Sequence, residues 1–90
     1  MGGKLVILKE GDYQDMPDLR VIDLMSKYCW TKKIVEIEQG TFKNLPNLES
    51  INLRKNKLKE IKTDTFKDLP ELKLINLWQN EIVEIQQGAF

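Results

Sequence analysis

The chain has 90 residues, with 14 Lys plus Arg set against 14 Asp plus Glu, no His and one Cys. Equal charge removes the basic surplus with which a nucleic-acid binder meets phosphates, and a single cysteine removes both an internal disulfide framework and a cysteine-based zinc site. An ordinary core in a domain this small supplies only about 3–5 kcal/mol, so some device beyond a simple globule must support the fold.

Residues 1–4, opening Met1-Gly2-Gly3, read as an expression start and are expected to be disordered. Leu5 to Leu8 is the longest apolar run, far short of the roughly 20 residues that cross a bilayer, so no membrane insertion is expected of this chain. A longer pattern then begins. Asp12 to Gly40 places Tyr13, Met16, Pro17, Leu19, Ile22, Leu24, Ile34 and Ile37 at positions that recur downstream. Thr41 to Asp64 (TFKNLPNLESINLRKNKLKEIKTD) and Thr65 to Gly88 (TFKDLPELKLINLWQNEIVEIQQG) align with each other without a gap. Phe42, Phe66 and Phe90 fall 24 residues apart, whereas 29 separate Tyr13 from Phe42, the extra residues lying within Ser26 to Lys32. Leu5 to Tyr13 matches Ile82 to Phe90, so the chain opens as it closes, part-way through a repeat. Self-similarity at such a period predicts one solenoid over residues 5–90: the tail of a preceding repeat at 5–11, then repeats at about 12–40, 41–64 and 65–90.

The pattern LxxLxLxxNxL, present at Leu48 to Leu58 and at Leu72 to Ile82, resembles the leucine-rich repeat family. The period, with Phe ahead of each Leu-Pro-x-Leu, resembles the 24-residue "typical" subclass of secreted and cell-surface animal proteins, among them receptor ectodomains and innate-immunity factors. The resemblance implies an α/β solenoid: a right-handed coil with a short parallel sheet on its concave face and irregular or 3-10 segments on its convex face. It also implies a fragment of about three repeats acting as a non-catalytic scaffold for protein recognition. An intracellular, cytoplasmic adaptor of the same fold and a structural or engineered self-assembling block are the alternatives.

Alternation along a strand sends Ile51 and Leu53 inward and Ser50, Asn52 and Arg54 outward. Ile22 and Leu24 below, and Ile75 and Leu77 above, continue the inward column, with one strand expected per coil. Asn56 and Asn80 follow the strands, where an amide can satisfy backbone groups that the ladder leaves unpaired. The first repeat has Lys32 in that slot, so its turn must be held differently. Tyr13, Phe42, Phe66 and Phe90 read as a stacked aromatic spine, and Pro17, Pro46 and Pro70 mark one turn per coil.

The absence of His removes the commonest general base and metal ligand, and no catalytic group, cofactor or metal site is expected. Asp15 with Asp18, or Glu36 with Glu38, occupy solvent-facing positions among lysines and lack the glycine-centred loop of a calcium hand. No Asn-x-Ser/Thr sequon occurs.

The concave face is the candidate protein-binding surface: Val21, Asp23 and Met25; Ser50, Asn52 and Arg54; Leu74, Asn76 and Trp78. Trp and Arg are enriched at binding hot spots, which makes Trp78 the expected anchor. The insertion around Tyr28, Cys29 and Trp30 is the second candidate, either as a lip beside the ligand or as a plug for the gap left by the missing Asn. Cys29 is open to three readings: a buried apolar group, a free thiol or an intermolecular disulfide partner. The last coil is expected to expose parts of Ile75, Leu77, Ile82, Ile85 and Phe90, which predicts self-association through an end or an edge strand.

Overall fold

A computed structural model describes residues 4–27 and 32–90. All its strand pairs are parallel and join segments of adjacent coils. The concave sheet runs β3 (Val21–Asp23), β6 (Ser50–Asn52), β8 (Leu74–Asn76), with Ile22 opposite Ile51 and Ile51 opposite Ile75.

The expectation of one strand per coil is too simple. Beyond the concave sheet, β1 (Leu5–Leu8) pairs with β4 (Lys33–Ile37), β2 (Tyr13–Gln14) with β5 (Phe42–Lys43), and β7 (Glu60–Ile61) with β9 (Glu84–Ile85). Most of these segments are two residues long, too short to carry a strand signal of their own. They pair because superposed coils bring the same extended slot of one turn to ladder distance from the next, about 4.8 Å. The β1–β4 register slips between Val6 and Ile7.

The α/β label also needs correction, because no helix occurs among the described residues. The segment after each Leu-Pro or Met-Pro closes as a single turn: Leu19 N–H donates to Met16 O, Leu48 N–H to Leu45 O and Leu72 N–H to Leu69 O, at 3.1–3.3 Å. One turn fixes several dihedrals for one hydrogen bond, and the chain leaves it for the next strand before a helix can propagate.

Burial follows the stack. Leu45, Leu48, Ile51, Leu53, Leu58 and Ile61 are at most 1% exposed, all in the coil covered on both sides. Ile75, Leu77 and Ile82, in the last coil, are only half-buried. Two buried hydroxyls sit in the same core: Thr41 Oγ1 donates to Glu38 O and Thr65 Oγ1 to Lys62 O, both at 2.7 Å. Their donors are thereby satisfied, which is what permits a polar group to repeat beside Phe42 and Phe66.

Each coil turns through left-handed backbone in one shared slot. Gly11, Gly40 and Gly88 have φ of 78–80° there, and Asp64 takes the same place at 63°. At Gly40 a Cβ would stand 2.9 Å from Lys43 Cε and 3.2 Å from Glu10 Cγ, so glycine answers both to sterics and to φ. Asp tolerates the conformation better than most residues.

Ion pairs bridge neighbouring coils: Arg20–Glu49, Lys43–Glu10 and Lys62–Glu36. The hydrogen bond and charge of Lys43 hold the Glu10 carboxyl below its usual range, and the hydrogen bond to Glu36 raises the Lys62 ammonium. Such exposed pairs add little, up to about 1 kcal/mol each; they favour the correct neighbour more than they stabilise the chain.

Candidate functional site

The outward side chains of the concave sheet form three rows across the strands. Val21, Ser50 and Leu74 stand in register in the first row, and Asp23, Asn52 and Asn76 in the second. Met25, Arg54 and Trp78 follow the strands in the third, where Ser26 N–H donates to Arg54 O and Lys55 N–H to Trp78 O. Each predicted surface residue of the sheet therefore lies on one continuous face.

Within that face the residues divide by role. Val21 and Leu74 are each 58% exposed and Trp78 61%, while Met25, Ser50, Asn52, Arg54 and Asn76 are half-buried. The middle row has a backbone duty that alternation does not reveal. Asp23 Oδ1 accepts from Met25 N–H at 3.2 Å, Asn52 Oδ1 from Arg54 N–H at 3.1 Å and Asn76 Oδ1 from Trp78 N–H at 3.1 Å. Each side chain closes a local turn onto the N–H two residues ahead and so ends its strand in the same way. The recurring Asx at this slot was the available signal.

The third row holds the most distinctive contact. The Arg54 guanidinium carbon lies 4.7 Å from the centre of the Trp78 ring. A cation over an indole face is held by the ring quadrupole and braces the otherwise exposed Trp. Arg54 Nε is buried with no hydrogen-bond partner. The face thus carries exposed apolar surface beside a cation that has no ion-pair partner among the described residues.

Behind the face, Asn56 is buried. Its Oδ1 accepts from Ile34 N–H at 2.8 Å, and its Nδ2 faces Leu24 O, Leu53 O and Arg54 O at 3.1 Å each. Asn80 repeats the arrangement one coil on, with Leu58 N–H on Oδ1 and Leu53 O and Leu77 O facing Nδ2. The first repeat has Lys32 in that slot. There the Lys33 N–H donates to Lys4 O at 2.8 Å and Lys33 Nζ reaches Lys55 O at 3.1 Å. The aromatic rings form a column: Tyr13 to Phe42 is 5.7 Å, Phe42 to Phe66 5.8 Å and Phe66 to Phe90 5.5 Å, all near parallel. Desolvation against this column raises the Tyr13 phenol.

Three of the four carboxylates weighed as acid/base pairs have partners in adjacent coils. Asp15 Oδ1 accepts from Asn44 Nδ2, Glu36 pairs with Lys62, and Glu38 Oε1 accepts from Glu10 N–H. Among the described residues no group of three His, Cys, Asp or Glu side chains is arranged to hold a metal ion. Tyr28, Cys29 and Trp30 lie outside the described residues. Two large concavities, of about 870 and 890 Å³, lie toward the two ends of the stack, and the second reaches the concave face at Asp23 and Met25. Both are edges of the apolar column, lined by Phe66 and Phe90 in one case and by Val6, Leu8 and Ile34 in the other. On the concave sheet Val21, Leu74 and Trp78 stand exposed rather than enclosed, which suits contact with an extended surface.

Comparison with protein families gives a match to the model described as "Leucine rich repeat" over residues 30–82. Comparison with curated proteins finds no match, and comparison with solved structures finds none.

Proposed function

This chain belongs to the leucine-rich repeat family, and on that premise we propose that it is a non-catalytic scaffold that takes a protein ligand through its concave sheet and the 26–32 insertion. Domains of this family generally mediate protein–protein interaction. The observation that carries the reading is that three exposed apolar side chains, Val21, Leu74 and Trp78, share one face. Single exposed apolars are ordinary, but a Trp braced by Arg on a sheet face has the composition of a binding anchor. The coil is taken as right-handed, the hand that parallel crossover connections adopt. The 24-residue period supports the subclass found in secreted and cell-surface proteins, and that is the location proposed for this chain.

Selection of a displayed random-peptide library on the whole chain tests the surface. Peptides enriched on the wild type are expected to lose about tenfold or more in affinity for Trp78→Ala, the loss of a hot-spot residue. A Glu71→Ala control, away from the sheet, should bind them unchanged. Enriched peptides indifferent to Trp78→Ala would discard the anchor.

Self-association belongs to the same reading. Leu5 is 64% exposed and Ile7 43% on the edge strand β1, and the last coil exposes Ile85 at 53% and Phe90 at 65%. An open edge with apolar side chains invites pairing. Light scattering should show a rising mass with concentration; a strict monomer at high concentration would refute it.

A further inference from the structure

Charge is balanced over the chain but not over its surface. The turns that follow the concave strands carry Lys27, Lys32, Lys33, Arg54, Lys55 and Lys57 against one carboxylate of their own, Glu81, with Asp23 at the end of its strand sharing a concavity with Lys27 and Lys32. None of these cations enters an ion pair among the described residues, whereas Arg20, Lys43 and Lys62, elsewhere on the coil, each have a carboxylate across the next turn. Lys27, Lys33, Lys55 and Lys57 line one open depression of about 380 Å³, with Glu81 at its far side. The depression adjoins the third row of the concave face, because Arg54 and Lys55 are successive residues and Lys55 N–H donates to Trp78 O.

Like charges gathered in adjacent turns repel one another, and the cheapest relief for a folded chain is a carboxylate in the neighbouring slot, as the other cations have. On this edge that relief is missing, so the repulsion remains until something anionic arrives. The contiguity with Met25 and Trp78, and through them with the rest of the concave face, selects among anions. A sulfated glycan or a free phosphate would satisfy the lysines but leave the apolar rows uncovered. A polypeptide can place carboxylates on the edge and apolar side chains on the sheet at the same time.

We propose that the partner presents an acidic protein segment, its Asp or Glu side chains lying along the Lys27–Lys33–Lys55–Lys57 edge while an adjoining apolar residue packs on Trp78 and Arg54. This rests on the concave-face reading above and names the chemistry of its ligand. Lysine edges chiefly accelerate encounter and select partners, so the binding should weaken steeply with salt.

The test uses the whole chain and three fluorescein-labelled probes: a short peptide with glutamates on both sides of a Leu-Phe pair, the same peptide with glutamine in place of glutamate, and a heparin-derived oligosaccharide. Fluorescence anisotropy should show the glutamate peptide bound, the glutamine peptide bound much more weakly, and the difference shrinking as salt rises. The triple variant Lys27→Glu/Lys55→Glu/Lys57→Glu should lose about tenfold or more for the glutamate peptide, three exposed attractions having been reversed. A triple reversal away from this edge, Lys9→Glu/Lys67→Glu/Lys73→Glu, should lose little, and circular dichroism checks that both variants keep the wild-type spectrum. Equal losses in the two triple variants, or equal binding of the two peptides, would overturn the proposal. Tight binding of the oligosaccharide with none of the glutamate peptide would replace the protein segment by a glycan and overturn it too. A Trp78→Ala loss without a lysine-edge loss would sink this inference and leave the concave-face reading standing; the converse would sink the anchor and leave the edge.

Discussion

Replacing Phe42 by Ala is expected to cost about 3–5 kcal/mol, the range for deleting a buried Phe. Phe42 is 3% exposed and has a ring on either side, Tyr13 at 5.7 Å and Phe66 at 5.8 Å. The cavity left by Ala therefore opens between two coils at once and cannot be filled from one side. A chain of this size has only about 5–13 kcal/mol to lose. Phe90→Ala is the internal comparison: the same residue type in the same slot, but 65% exposed with a ring on one side only, and it should cost about 1 kcal/mol, little more than one aromatic pair. Urea unfolding midpoints of the two variants measure the difference. Equal losses at Phe42 and Phe90 would show that the rings act singly and that the column has no cooperative meaning.

Asn56→Leu, nearly the same volume, should cost about 3 kcal/mol or more, because each buried group left unpaired costs about 1–3. The substitution keeps the packing and removes the amide that the Ile34 N–H and the carbonyls of Leu24, Leu53 and Arg54 all use. Those groups belong to two successive coils, so the loss is felt across the junction and not only in one turn. Asn80→Leu should cost less. Its slot is half-buried, and its amide serves three backbone groups, Leu58 N–H, Leu53 O and Leu77 O, against four at Asn56. Calorimetric unfolding of the two variants orders them; an Asn80→Leu loss equal to or greater than that of Asn56→Leu would contradict the assignment.

The inward column was legible because alternation and period are local facts. Ile22, Ile51 and Ile75 could be placed opposite one another by counting residues, and the sheet register agrees with the count. The solenoid followed from the same spacing. The additional ladders were not legible, since Glu60–Ile61 and Glu84–Ile85 become strands only when one coil lies on another. The expected helical content failed for a related reason: turns such as Leu45 to Leu48 give a helix-like spacing of apolar residues but end after one hydrogen bond.

On the candidate face, alternation identified which side chains point outward and said nothing of what their oxygens do. Alternation alone groups Asp23, Asn52 and Asn76 with the ligand candidates, although each has a backbone N–H to satisfy. The Arg54–Trp78 contact could have been anticipated: the two are 24 residues apart, which puts them in one slot of neighbouring coils. The lysine edge was hidden by the net charge of zero, because a balanced total says nothing of how charge is distributed around a coil.

The account depends on each coil being held by its neighbours, so that stability is greatest where both neighbours are present. Native-state amide hydrogen exchange on the whole chain measures this residue by residue. The slowest exchange is predicted in the middle coil, at Ile51 and at Leu53, whose N–H donates to Asn76 O at 2.8 Å, with protection falling toward β1 on one side and toward β9 on the other. Protection that is uniform along the chain, or greatest in the last coil, would contradict it.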